Sequence, residues 1–380
     1  MLKTFWLNNK KILKHIAVIF IVWQLVILAI SLISPYFVSK RDLYVYSERG
    51  IPDFLSQRAN FDGIHYLSIS QKGYGYLQQA FFPFYPSVIK FIAPLFGGKL
   101  LFAGLFISNF CFLVALFIFY KLVRLDFGEQ AARRSLIFLL VFPTSFFFGT
   151  VYTESLFLML VLGSFYAARK NKWFLSAILG SFASYTRIVG ILLLPALIYE
   201  RWNLSANLNL KARVKNFLPL IILPLGLLKY MFFLWNNFKD PFMFFHVQPL
   251  FGAERSGNKI ILLYQVFWRY LKMILTTKID PLYFAVWLEF LIAIGAIILL
   301  FFCYKKKIQF SYLFFASLAY LLPTLTGTFS SLPRYFLALF PCFIILGTIR
   351  NKVVYKLILI GFSLLFIISC SFFLNGIWIS

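Results

Sequence analysis

The chain has 380 residues, of which 61% are hydrophobic, 21% aromatic and only 13% charged. A soluble domain carries about 25% charge, so the composition excludes an ordinary water-soluble fold, and continuous apolar runs in place of alternation exclude a β-barrel. The net charge of +25 does not call for nucleic acid, because Lys and Arg fall mostly in short connections between apolar runs, where cytoplasmic loops collect them.

Lys10, Lys11, Lys14 and His15 precede an apolar run that reaches Ile33. The run is too long for a signal-peptide core and reads as a retained first span, 15–36, leaving the cytoplasm. Residues 37–99 form a large first outer loop with mixed charges over 38–54. A short amphipathic helix follows from Asp62 to Ser70, then an apolar piece, 81–95, punctuated by Pro83, Pro86 and Pro94. That piece is short and broken, so it is expected to be a re-entrant or interfacial helix. Counting it as a span would put Lys121, Arg124, Arg133 and Arg134 outside, against the positive-inside rule.

Spans 100–120, 135–148 and 152–168 come next, closed by the basic turn 169–172. The run 173–199 divides into two short spans around Tyr185-Thr186-Arg187. Span 217–235 leads to a second outer loop, 236–280, with His246, Gln248, Glu254 and a surface helix over 260–275. The remaining spans are 281–304, 308–322, 332–349 and 354–374. The expected architecture is an all-α polytopic membrane protein, one domain over 1–380 with about 11 transmembrane helices, its N-terminus inside and C-terminus outside. Cys111, Cys303, Cys342 and Cys370 lie in apolar runs without metal-like spacing and read as packing residues.

Charged residues close to hydrocarbon are costly unless they pair or face a polar cavity. Asp62 opens the helix of the first outer loop, and Glu154 stands directly before an apolar run at the expected outer mouth of two spans. Helix capping is the competing explanation for both carboxylates. Arg187 interrupts an apolar stretch and Arg334 follows Pro333, both expected at the same membrane face. Each arginine either snorkels to the interface or holds a phosphate through its forked donors. His65 shares a helical face with Asp62, and His246 and Gln248 are candidate substrate contacts in the second loop. Tyr66, Tyr74, Tyr76, Phe82 and Tyr85 offer flat faces suited to sugar rings or an isoprenoid, as an interfacial aromatic belt also would. No ligand cluster argues for a metal.

Three motifs carry a family resemblance: Phe61-Asp62-Gly63-x-His65-Tyr66-Leu67 with Gly73-Tyr74 and Phe81-Phe82-Pro83-x-Tyr85-Pro86; Tyr152-Thr153-Glu154-Ser155-Leu156 with Ser184-Tyr185-Thr186-Arg187; and Leu332-Pro333-Arg334-Tyr335 with Phe340-Pro341. Their order and spacing resemble the PIG-V-like membrane mannosyltransferases. The resemblance implies a GT-C-like fold with a large first extracytoplasmic loop carrying surface helices and a site facing away from the cytoplasm. It implies polyprenyl-phosphate mannose or a related sugar as donor, a glycolipid or lipid-linked glycan as acceptor, and inversion at the anomeric carbon. Asp62 takes the base role of the family's acidic loop residue. His65, Tyr66, Tyr85, Glu154, Arg187, His246, Gln248, Arg334 and Tyr335 are the expected substrate contacts, with no cofactor required. Membrane lipids are expected partners, and a small membrane protein is compatible with the resemblance. A prokaryotic plasma membrane is the expected location, or the ER membrane in a eukaryote.

Two other readings stand beside this one. A GT-C transferase for arabinose, glucose or galactose would use the same charges, because hydroxyl recognition is not visible in the motifs. A lipid-linked oligosaccharide transporter would spread its charges along a route between both faces, whereas these gather at one.

Overall fold

The structure, a computed structural model, describes residues 2–379 apart from 42–44, 49, 206, 208, 254, 258 and 280. Glu254 therefore lies outside the described residues. The regular elements among the described residues are all helices, with no strand. Five helical stretches are long and apolar enough to cross a membrane: Asn9–Tyr36, Leu100–Val141, Leu218–Phe238, Pro281–Lys305 and Lys352–Leu374. Two expected spans, 100–120 and 135–148, fall within the stretch Leu100–Val141, and the others that are not among these five are shorter or broken helices packed among the long ones.

The N-terminal helix α1 (Leu2–Ile33) is followed by α2 (Asp53–Ser56), α3 (Asp62–Lys72) and α4 (Phe84–Ile92). In the piece 81–95, α4 is a short helix that passes into a 3-10 turn, Ala93–Phe96, as its prolines suggest. Next comes α5 (Leu100–Val141), which breaks at Gly128, where φ is +77°. Only glycine adopts that backbone without penalty. Phe112 stacks on Phe148 at 4.2 Å, and Ser108 Oγ lies 3.4 Å from the Tyr152 carbonyl. Both pairs are equidistant in sequence from residue 130, so the chain doubles back at the Gly128 break and forms two antiparallel limbs.

The helices α6 (Glu154–Arg169), α7 (Trp173–Thr186) and α8 (Leu193–Leu204) follow. Between α7 and α8 the chain turns at Arg187, which is extended. Gly190 packs so tightly there that a Cβ would sit 2.3 Å from the Ala183 carbonyl carbon. The chain continues through α9 (Leu210–Lys215), α10 (Leu225–Phe238), α11 (Met243–His246), α12 (Leu263–Thr276) and α13 (Pro281–Lys305). It ends with α14 (Phe310–Thr324), α15 (Leu332–Tyr335), α16 (Phe340–Gly347) and α17 (Lys352–Leu374). The expected span 332–349 is thus two short helices joined by a 3-10 turn, because Pro333 and Pro341 each start a new helix.

The basic turns collect at one end. Arg169 pairs with Asp126 at 2.7 Å and donates to the Tyr312 hydroxyl at 2.9 Å. Ser311 donates to Glu200 at 2.7 Å, and Arg134 to the Ile349 carbonyl at 2.9 Å. Asp62, Glu154, Arg187 and Arg334 converge elsewhere, at the opposite ends of α6 and α7. All four cysteines are free and buried.

Candidate active site

The site starts with a strained residue. Phe61 has φ +56° and ψ −115°, a conformation that costs a non-glycine residue about 1–3 kcal/mol. Its ring is held 5.7 Å from Phe373 and 5.2 Å from Trp378. The backbone turn is fixed by Asn60, which is fully buried: its amide nitrogen donates to the Phe373 carbonyl at 3.0 Å and its oxygen accepts from the Tyr46 N–H at 2.9 Å. Tyr152 closes the other side. Its hydroxyl donates to the Asn60 carbonyl at 2.9 Å and accepts from the Asp62 N–H at 3.2 Å.

Asp62 is the first residue of α3 but makes no capping bond with its side chain. One carboxylate oxygen, Oδ2, instead accepts from Arg334 Nη1 at 2.5 Å. Glu154 is likewise the first residue of α6 without capping. Its Oε1 accepts from Arg187 Nη1 at 2.6 Å and lies 3.4 Å from Arg334 Nε. The capping explanation fails for both residues, and a chain of alternating charge replaces it: Asp62, Arg334, Glu154, Arg187.

This chain is desolvated but not sealed. The Glu154 side chain is 2% exposed, against 10% for Arg334, 13% for Arg187 and 17% for Asp62. Glu154 Oε2 and Arg334 Nε are buried without a hydrogen-bond partner, an arrangement that costs about 1–3 kcal/mol per group. Aromatic rings hold the guanidiniums. Arg187 lies 4.5 Å from the Tyr335 ring centre and 5.6 Å from that of Phe157. Arg334 lies 5.3 Å from Tyr152 and 5.7 Å from Phe147. Thr144 donates to the Pro333 carbonyl at 2.7 Å and so ties α15 to the turn before α6.

His65, one turn beyond Asp62, stacks on Phe81 at 4.8 Å, with Gln78 Nε2 3.4 Å from its Nδ1. Burial holds its imidazole below the usual range, against the opposing pull of Asp62. A histidine with its folded pKa depressed favours folding above the unfolded value and loses that contribution as pH falls. Lowering the pH from 7.5 to 5.5 should therefore cost the purified protein melting temperature. His65→Gln should flatten that dependence; an unchanged slope would show that His65 does not titrate there.

The other expected contacts divide. Tyr66 is buried edge-on to Phe81, Tyr85 and Tyr152, and burial raises its phenol, as does Asp62. Tyr85 is fully buried with its hydroxyl 2.7 Å from Ser108 Oγ, so it braces α4 against α5. Tyr74 and Phe82 pack on Tyr230, while Tyr76 remains exposed. His246 pairs with Asp240 at 2.7 Å on the surface, and Gln248 donates to the Phe244 carbonyl at 3.2 Å. The structure does not bring either to the charge chain. From the second loop it is Phe251 that approaches, 6.2 Å from His65 and 5.7 Å from Phe81. Asn60 and Tyr152 have supporting roles that sequence reasoning missed, their only signal being that Asn60 directly precedes the first charged motif and Tyr152 opens the second. Among the described residues, no three His, Cys, Asp or Glu side chains group as metal ligands.

Chemically, the cluster offers two guanidiniums for an anion and one carboxylate with an end toward solvent. Residues 13–246 match a family model described as mannosyltransferase (PIG-V), more than half of the chain; Arg334 lies beyond the match. Among solved structures, the chain is similar to apo ArnT from Cupriavidus metallidurans, with a TM-score of 0.51 at 14% identity over 95% of this chain and 75% of that one. The likeness is one of fold. The structure of ArnT from the same organism bound to undecaprenyl phosphate gives a TM-score of 0.46 at 13% identity, over 93% and 76% of the two chains. No curated protein matches the sequence.

Proposed function

The chain belongs to the mannosyltransferase (PIG-V) family and is a membrane glycosyltransferase, and from that premise we propose that it transfers mannose from a polyprenyl-phosphate donor to a hydroxyl of a glycolipid or lipid-linked glycan at the extracytoplasmic face. The observation that carries this reading is the buried charge chain, in which Arg334 and Arg187 are joined through Glu154 and Asp62 is the more exposed of the two carboxylates. A donor phosphate takes the arginines' remaining donors, which fit its oxygens in pairs. Asp62, relieved of part of its pairing to Arg334, accepts the proton of the acceptor hydroxyl while that oxygen attacks the anomeric carbon. Polyprenyl phosphate leaves from the opposite side, so configuration inverts. Its departure needs no second acid, unlike the paired carboxyls of glycoside hydrolysis, and the arginines stabilise its charge.

A second reading keeps this chemistry and changes the sugar. The four charged residues address a phosphate and a proton rather than sugar hydroxyls, so they serve an arabinose, glucose or galactose donor equally well. Purified protein offered a panel of polyprenyl-phosphate sugars tests both: turnover of the mannose donor alone supports the first, another sugar the second, and none overturns both.

The orientation follows from the basic turns at the end of the bundle opposite Asp62. Cysteines introduced at His246, Asn171 and Lys306, all exposed, report it against a background of four buried thiols. An impermeant reagent should label position 246 in intact cells, and 171 and 306 only after permeabilisation. The reverse pattern would overturn the orientation.

A further inference from the structure

A second buried carboxylate lies outside the charge chain. Glu289 sits on α13, one of the long apolar helices, and is only 5% exposed. A carboxylate inside such a helix is expensive unless it holds something in place. Glu289 Oε2 accepts from the Tyr270 hydroxyl of α12 at 2.5 Å. The same hydroxyl accepts from the Phe329 N–H at 3.2 Å and lies 3.2 Å from Thr328 Oγ1. Thr328 Oγ1 in turn accepts from the Ser330 N–H at 3.0 Å.

These bonds bind one short turn. Arg269 donates to the Gly327 carbonyl at 3.1 Å, and Arg255 Nη2 lies 3.5 Å from Ser331 Oγ. Ser331 adopts the left-handed conformation, φ +67°, which a residue other than glycine keeps only when its surroundings impose it. Its carbonyl accepts from the N–H groups of Arg334 at 3.1 Å and Tyr335 at 3.0 Å and so starts α15. The strained turn that Glu289 and Tyr270 hold is therefore the one from which Arg334 reaches Asp62 and Glu154.

We infer that Glu289 is a positioning residue for the donor phosphate: through Tyr270 it clamps the 328–331 turn and fixes where Arg334 points. The inference rests on the reading of Arg334 as a phosphate contact, and its structural half can be measured separately. Glu289→Gln keeps an oxygen for the Tyr270 hydroxyl, Glu289→Ala removes it, and Tyr270→Phe removes the hydroxyl while its ring stays against Phe329, 4.8 Å away.

The test combines hydrogen–deuterium exchange of the detergent-purified full chain with kinetics on polyprenyl-phosphate mannose. In Glu289→Ala and Tyr270→Phe, exchange should rise over residues 327–335 and stay unchanged in α5, while Glu289→Gln behaves as the parent. Small displacements of a binding group cost about 10- to 100-fold in rate. Glu289→Ala should accordingly lose about that much kcat/KM for the donor, chiefly through KM, with Glu289→Gln restoring most of it. The loss should vanish when Arg334 is already Ala. Unchanged exchange over 327–335, or an equal loss in the Arg334→Ala background, would overturn the inference. Raised exchange together with a donor KM insensitive to Arg334→Ala would instead keep the clamp, overturn its link to phosphate and contradict the donor-site reading itself.

Discussion

Asp62→Asn should lower turnover by about 10²- to 10⁴-fold, the contribution of a positioned proton acceptor, with donor affinity largely retained. The substitution keeps the shape of the side chain and an oxygen for Arg334, but an amide cannot take the hydroxyl proton. Arg334 still faces Glu154, 3.4 Å from its Nε, so the phosphate contacts survive. Stability should fall less than in Arg334→Ala, because Arg334 keeps Glu154 as a counter-charge and residue 62 keeps the N–H contact to Tyr152 through its backbone. Steady-state transfer and donor competition on the same preparation check both halves. A variant that loses donor affinity and turnover in proportion would mark Asp62 as a binding group only.

Arg334→Ala should have the larger combined effect. Truncating one partner of a buried charge pair costs about 2–5 kcal/mol in binding, much of it the penalty on the charge left behind. Here the partner across the interface is the donor phosphate, and the charges left behind are Asp62 and Glu154, of which Glu154 is almost wholly enclosed. Donor affinity should fall by that amount, and melting temperature should fall too, since breaking a buried pair is itself destabilising. Arg334→Lys restores a charge without the fork and should recover stability better than donor affinity. Competition with labelled polyprenyl phosphate, together with thermal unfolding in detergent, separates the two effects. Equal donor affinity in a folded Arg334→Ala protein would remove Arg334 from the donor site.

What the sequence made legible was largely what hydrocarbon forbids. Asp62, Glu154, Arg187 and Arg334 stand out because each is a charge beside or inside an apolar run, and all four meet in one cluster. Their pairing was not legible, since Asp62 and Arg334 are 272 residues apart and no local pattern links them. Glu289 also interrupts an apolar run, yet its partner Tyr270 lies on another helix. His246 and Gln248 drew attention as polar residues in an aromatic loop, but composition does not say which way a loop side chain faces. The breaks at Gly128 and at Arg187 were legible, because each separates two expected spans, whereas the run 332–349 was read as one span and is broken at Pro333 and Pro341. Hydropathy measures how apolar a run is, not whether its backbone stays straight. The strain at Phe61 and Ser331 was equally silent, because long-range packing and hydrogen bonds impose it.

The central claim is that Asp62, and not Glu154, is the base of a polyprenyl-phosphate sugar transfer. Single-turnover transfer from radiolabelled polyprenyl-phosphate mannose tests it most directly, using detergent-purified parent, Asp62→Asn and Glu154→Gln proteins matched for monodispersity. The geometry predicts rapid transfer by the parent, measurable transfer by Glu154→Gln because Glu154 is locked between two arginines, and almost none by Asp62→Asn. Near-normal transfer by Asp62→Asn, with none by Glu154→Gln, would contradict the assignment and move the base to Glu154.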